Sequence, residues 1–118
     1  MSISGAWARP AAGGSQSAAY LTMTNTSGTM DALLSATSPA AGKVELHETS
    51  VDGSGMTGMH PVARVDVPAG QAVVLKPGSY HLMLMGLTGE LAVGKTIELD
   101  LVFEKAGKVV VQAEIRQG

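Results

Sequence analysis

In the stretch Tyr80-His81-Leu82-Met83-Leu84-Met85-Gly86, alternate residues differ in kind. In an extended chain Tyr80, Leu82 and Leu84 share one side, while His81, Met83 and Met85 share the other. The first set can fill a core. The second places an imidazole and thioethers in a row, with His81 and Met83 about 6.6 Å apart at a rise of about 3.3 Å per residue. Side chains from two such positions can lean onto one small ion. Thioethers are soft ligands that need no deprotonation, so a soft ion such as Cu(I) suits them. The competing reading is that the methionines plug a core.

A second histidine lies upstream on a comparable pattern. From Lys43 to Ser50, Val44 and Leu46 fall on one face, and Glu45, His47 and Thr49 on the other. Met59 follows in a glycine-flanked segment that can fold over. His47, Met59, His81 and Met83 would together supply two imidazoles and two thioethers, four neutral ligands. That set fits Cu(I) or Ag(I) and fits Zn(II) poorly, because no ligand charge offsets the divalent cation. The thioethers would bind at any pH, whereas the imidazoles would release the metal as they protonate below their reference pKa of about 6.5. Met56, His60, Met85 and Glu48 are possible auxiliary residues. His60 directly follows Met59 and points away from it if the segment is extended. Glu48 lies on the parity opposite His47 and would attract a cation without ligating it. Taken singly, each histidine also reads as an ordinary surface or hydrogen-bonded residue.

The elements that must position these residues read as short strands between glycine and proline turns. Ile3 to Ala8, Ser17 to Asn25, Asp31 to Ser38, Lys43 to Ser50, Pro61 to Val67, Gln71 to Leu75, Tyr80 to Met85, Thr96 to Phe103 and Val109 to Ile115 are each consistent with a strand. The segment from Asp52 to His60 reads as irregular, and Gly86 to Gly94 as a loop or short crossing. Pro77-Gly78 and Lys105-Ala106-Gly107-Lys108 are turn signals. No segment carries a capped helical stripe. The expected architecture is all-β, a sandwich or barrel with Greek-key connections, in one domain over residues 1–118 with no linker.

Composition removes several alternatives. The chain has no cysteine, which excludes disulfides, thiolate catalysis, zinc knuckles and copper–thiolate centres. A formal net charge of -2 with scattered Lys and Arg gives no basic footprint for nucleic acid. No apolar run approaches the roughly 18 residues of a membrane-spanning helix. No P-loop, dinucleotide fingerprint, His-Glu-x-x-His or nucleophile elbow is present. No other chemistry in the sequence competes well with that of the four His and Met residues. The competing class is a metal-independent β-sandwich that acts through protein contacts.

The chain resembles the periplasmic copper chaperones of the PCu(A)C family, formerly a domain of unknown function. That family's pattern is a His, usually followed by Met, ten residues, a Met, twenty-one residues, then His-x-Met. His47, Met59, His81 and Met83 fit that spacing throughout, with Glu48 where the family often has Met. Ala6-Trp7-Ala8-Arg9, Tyr20-Leu21-Thr22-Met23-Thr24-Asn25, Leu75-Lys76-Pro77-Gly78 and the His81 strand extend the likeness over nearly the whole chain. The resemblance implies a cupredoxin-like Greek-key β-barrel. It implies Cu(I) bound by those four residues and passed towards the copper-centre subunit of respiratory oxidases, alongside a Sco-type thiol protein. It also implies export to the periplasm with removal of a signal peptide, and a monomer is expected. The Met- and His-rich tail that adds Cu(II) sites in some members has no counterpart in Ala113-Glu114-Ile115-Arg116-Gln117-Gly118.

Overall fold

A computed structural model describes residues 1–51, 57–77 and 79–117. The described residues form ten strands: β1 (Ser2–Ala8), β2 (Ser17–Thr24), β3 (Asp31–Thr37), β4 (Ala41–Val51), β5 (Thr57–Pro61), β6 (Val65–Val67), β7 (Ala72–Leu75), β8 (Tyr80–Leu87), β9 (Thr96–Phe103) and β10 (Gly107–Ile115). They lie in one sheet in the order β5-β4-β8-β2-β1-β10-β9-β3-β6, with β7 paired to β2. β3 and β4 lie towards opposite flanks of that order, yet only Ser38, Pro39 and Ala40 separate them. Three linking residues span at most about 14 Å, so the sheet must curl until its flanks meet. The Ser38 hydroxyl fixes this corner by donating to the Glu98 carbonyl at 2.6 Å and accepting from the Ala40 amide at 3.2 Å.

The curl encloses a single apolar cluster. Leu46, Leu82 and Leu84 of β4 and β8 belong to it with Leu33, Leu99, Leu101, Phe103 and Ile115 of β3, β9 and β10. Alternation explains the choice. Leu46 pairs with Leu82 and Val44 with Leu84 across the β4–β8 ladder, and partners directly opposite share a face.

The expected all-β class is what forms. Several strand ends shift by a residue or two, and two differences from expectation go further. Met59 and His60 belong to β5, which pairs with β4 from His47↔Pro61 to Val51↔Thr57, rather than to an irregular loop. The β4–β5 ladder supplies backbone hydrogen bonds that local sequence, with glycine at 58, does not advertise. The run from Pro61 to Val67 is not one strand: it ends β5 and resumes as β6, opposite Asp31 to Leu33 of β3.

β2 changes partner midway. Ser17 to Ala19 pair with β8, and Leu21 to Thr24 pair with β7. Tyr20 stands at the division. The β7–β8 connection, which carries Pro77, passes beside it, and a cavity of 370 Å³ lies there, lined by residues that include Tyr20, Pro77, His81 and Met83.

Candidate metal centre

The β4–β8 register puts His47 directly opposite His81, Glu45 opposite Met83 and Lys43 opposite Met85. These six positions therefore share the face turned away from the leucines. The two imidazole rings have centroids 5.7 Å apart. A metal bound at about 2.0–2.1 Å by one nitrogen of each ring would set their centres roughly 5 to 6 Å apart. The spacing is that of two imidazoles able to share an ion.

Among the described residues each ring is tied at one nitrogen only. His81 is 3% exposed, and its Nδ1 lies 3.2 Å from the Ser79 carbonyl oxygen. A carbonyl can only accept, so Nδ1 carries the proton and Nε2 keeps its lone pair. His47 Nε2 lies 3.0 Å from Glu45 Oε1, and the other carboxylate oxygen is 2.7 Å from Lys43 Nζ. That arrangement assigns the His47 proton to Nε2 and leaves Nδ1 bare. Both bare nitrogens, His47 Nδ1 and His81 Nε2, are buried with no hydrogen-bond partner among the described residues. Buried polar atoms without partners are costly, and a metal ion is one ligand that satisfies a neutral imidazole lone pair.

The electrostatics keep the pair ready. Burial, above all, pushes the His81 pKa below its ordinary value; the positive fields of His47 and Arg9 add to this, and the Ser79 carbonyl opposes it. The ring is thus neutral, the form that ligates, at neutral pH. The hydrogen bond from His47, and then that from Lys43, hold the Glu45 carboxyl below its usual range. A carboxylate behind an imidazole is a familiar orienting partner for a metal ligand.

The remaining expected residues divide clearly. Met83 is half-buried on the histidine face and lines the cavity beside His81. Position 59 pairs with Thr49, which shares the parity of His47, so the register brings Met59 to the same face; its side chain lies outside the described residues. Met56 lies outside them entirely. Met85 shares the face but is four residues from His81, roughly 13 Å along the strand, too far for a common ion. His60 and Glu48 are turned the other way. They meet across β4 and β5 with Nε2 3.4 Å from Oε1, as an exposed side-chain pair on the opposite face. Neither belongs with the two paired histidines, because a side chain one residue along a strand points to the other surface. Among the described residues no group of three or more His, Cys, Asp or Glu is placed to hold a metal ion, so no zinc-type set of imidazole, thiolate and carboxylate ligands is assembled there.

Sequence reasoning did not single out Glu45 or Ser79 as partners of the rings. Glu45 was legible as a residue two positions from His47, which an extended chain puts on one side. Nothing local marked the Ser79 carbonyl. Trp7 and Tyr20 were also missed as neighbours. Their rings lie 4.7 Å apart, and Tyr20 lies 6.4 Å from His81, extending the aromatic surface beyond the histidine pair.

Comparison with known proteins gives this geometry a context. Residues 1–115 match the family described as putative lipoprotein LpqE-like. The putative lipoprotein Lxx21020 of Leifsonia xyli subsp. xyli is 37% identical over 101 residues, covering 86% of this chain and 60% of that protein. The uncharacterized protein RP573 of Rickettsia prowazekii is 30% identical over 117 residues and is covered to 62% of its length. The chain therefore spans about 60% of the length of these relatives. Among solved structures, the copper-bound PCuAC domain from PmoF2 superposes with a TM-score of 0.80 at 26% identity, over 98% of this chain and 92% of that one. The apo PCuAC domain from PmoF1 gives 0.81 at 28% identity with the same coverage. The solution structure of CuI-DR1885 from Deinococcus radiodurans gives 0.73 at 30% identity, over 100% of this chain and 80% of that one. The curled sheet is the cupredoxin-like fold of these domains.

Proposed function

Because the chain belongs to the LpqE-like family of putative lipoproteins and is homologous in structure to PCuAC copper-chaperone domains, we propose that it is a carrier of Cu(I), not an enzyme. The observation that carries the reading is the cross-strand pairing of His47 with His81, each with one buried nitrogen left bare. In this reading His47 Nδ1 and His81 Nε2 bind the ion with the thioethers of Met83 and Met59. The lipoprotein description of the family agrees with the periplasmic location expected from the sequence.

The mechanism is ligand exchange. All four ligands are neutral, so a thiolate or imidazole from a recipient can displace a thioether without a proton having to be delivered to the departing ligand. The Ser79 carbonyl and the Glu45 carboxylate hold the two rings while this happens, so the thioethers are displaced first and the imidazoles last, once the recipient holds the ion. Delivery to the copper-centre subunit of a respiratory oxidase, in company with a Sco-type thiol protein, is the physiological role we assign to this exchange.

Anaerobic titration with Cu(I) against a competing colorimetric chelator tests the reading. One tight equivalent is expected for the native chain, weakened at least about ten-fold in Met59→Ala/Met83→Ala and more in His47→Ala/His81→Ala. Failure of the native protein to compete for Cu(I) would leave a β-sandwich acting through protein contacts as the better account.

A further inference from the structure

The cavity beside His81 is larger than one metal ion requires. Its 370 Å³ falls within the range of roughly 300–1,000 Å³ typical of small-molecule sites. Arg9, Gln16, Ser17, Thr49, Tyr20 and Pro77 line it together with Ala18, His81 and Met83. The lining thus carries one cation and no carboxylate.

Among the described residues that cation has no anion of its own. The chain has three arginines. Arg64 bridges Asp66 at 2.9 Å and Glu104 at 3.0 Å, and Arg116 approaches Glu114 at 4.0 Å. Arg9 forms no ion pair among the described residues; its guanidinium carbon instead lies 5.7 Å from the centre of the Tyr20 ring. Stacking on an aromatic face holds a guanidinium in plane and leaves its edge donors free. The Arg9 backbone is fixed as well: its amide donates to the Ala18 carbonyl at 3.1 Å, and its carbonyl accepts from the Ser17 hydroxyl at 2.7 Å.

We propose that this cavity is a binding site for a carboxylate-bearing ligand, with Arg9 as its anchor. A planar guanidinium fork matches a carboxylate with two parallel hydrogen bonds. A single cation suits a monoanion better than a phosphate dianion. Tyr20, Pro77, Ala18 and Met83 offer apolar contact to a short ligand body, and Thr49 and Gln16 offer polar contact. The ligand is either a free small acid or an acidic side chain of a partner segment; both present the same carboxylate. The site needs no metal, and so it goes beyond the copper reading.

The test uses the metal-free protein, with amide shifts followed by nitrogen-resolved NMR. The probes are N-acetylglycine, its uncharged analogue N-acetylglycinamide, and a short peptide blocked at both ends whose sole carboxylate is an internal aspartate. Saturable shifts at Arg9, Ala18, Thr49 and His81 are expected with a carboxylate probe, and the amide should bind about ten-fold more weakly or worse. Arg9→Met should lose the response by a similar factor, and Arg9→Lys should retain part of it. Equal or tighter binding of the peptide assigns the site to a protein segment, and preference for the free acid assigns it to a small metabolite. Equal response to acid and amide, native-like binding by Arg9→Met, or no shift from any probe up to ~10 mM would overturn the proposal. The acid–amide comparison needs no variant, so a misfolded mutant does not void it. With no copper present, a failed Cu(I) titration leaves this result unaffected.

Discussion

At His81 the Ser79 carbonyl accepts a hydrogen bond from one ring N–H and leaves the opposite nitrogen bare; at His47 the Glu45 carboxylate does the same. The two devices differ in strength. A carboxylate held ionised by Lys43 and His47 orients its ring through a charge-assisted bond, while the carbonyl relies on a neutral one. Glu45→Gln should therefore lower Cu(I) affinity about ten-fold without touching a ligand, which chelator competition at fixed pH will read. Burial holds the His81 pKa below its ordinary value, so a proton competes for its Nε2 only under more acidic conditions than for free imidazole. Cu(I) affinity should accordingly stay flat on lowering the pH from about 8 to about 6.5 and fall below that. A decline beginning above neutrality would contradict the assigned roles.

Strand β8 divides its work between its two faces. Leu82 and Leu84 are wholly buried, while His81, Met83 and Met85 lie on the other side. Leu82→Ala should cost about 2–5 kcal/mol of stability by leaving a cavity in the core. Met83→Ala, at a half-buried position one residue on, should cost about 1 kcal/mol or less and instead weaken copper. Chemical denaturation and Cu(I) titration of both variants separate the two effects. Equal losses of stability would mean that Met83 packs as core. Much of this was legible in the sequence, because alternation along one strand is a local property. The pairing of His47 with His81 was not. A parity argument says that each points outward from its own strand, but only the ladder says that they stand opposite one another. Strand β5 was illegible for a related reason: it forms on the edge of β4, and its short run with glycine at 58 carries little strand propensity of its own.

On the scale of the whole molecule, the curled sheet depends on ties between elements distant in sequence. Asp31 opens β3 and accepts backbone amides from Ala32 at 2.8 Å, Lys105 at 2.8 Å and Ala106 at 3.0 Å, clamping the β9–β10 turn onto β3. Burial raises its pKa, but these three hydrogen bonds outweigh burial and hold the carboxyl below its ordinary value. A carboxyl depressed in the folded state stabilises it above the unfolded pKa of about 3.9, and that contribution is lost as the pH falls through the folded value. The protein should lose stability on acidification below about pH 4, and Asp31→Asn should reduce that loss while costing about 2 kcal/mol at neutral pH. Urea unfolding at several pH values will show whether the two curves converge in acid. Asn25 makes a comparable tie with all its side-chain groups used, donating to the Thr29 and Val67 carbonyls and accepting from the Ser27 amide and hydroxyl.

What the sequence determined by itself follows from local rules. Alternation of Leu82 and Leu84 with His81 and Met83 set a core face and a chemical face, and proline and glycine turns set an all-β chain. The absence of cysteine, with histidine and methionine in its place, set the softness and neutrality of any ligand group. What only the tertiary structure decided depends on register and on closure of the sheet. It stood His47 opposite His81, sent His60 and Glu48 to the far face, and left Met85 too far along the strand. It also placed Arg9 over Tyr20 in the gap where β2 changes partner. One residue of slip in the β4–β8 ladder would carry one of the histidines to the core side while barely changing the sequence pattern. The site is therefore fixed by leucine packing on the opposite face, which the chain commits to only when it folds.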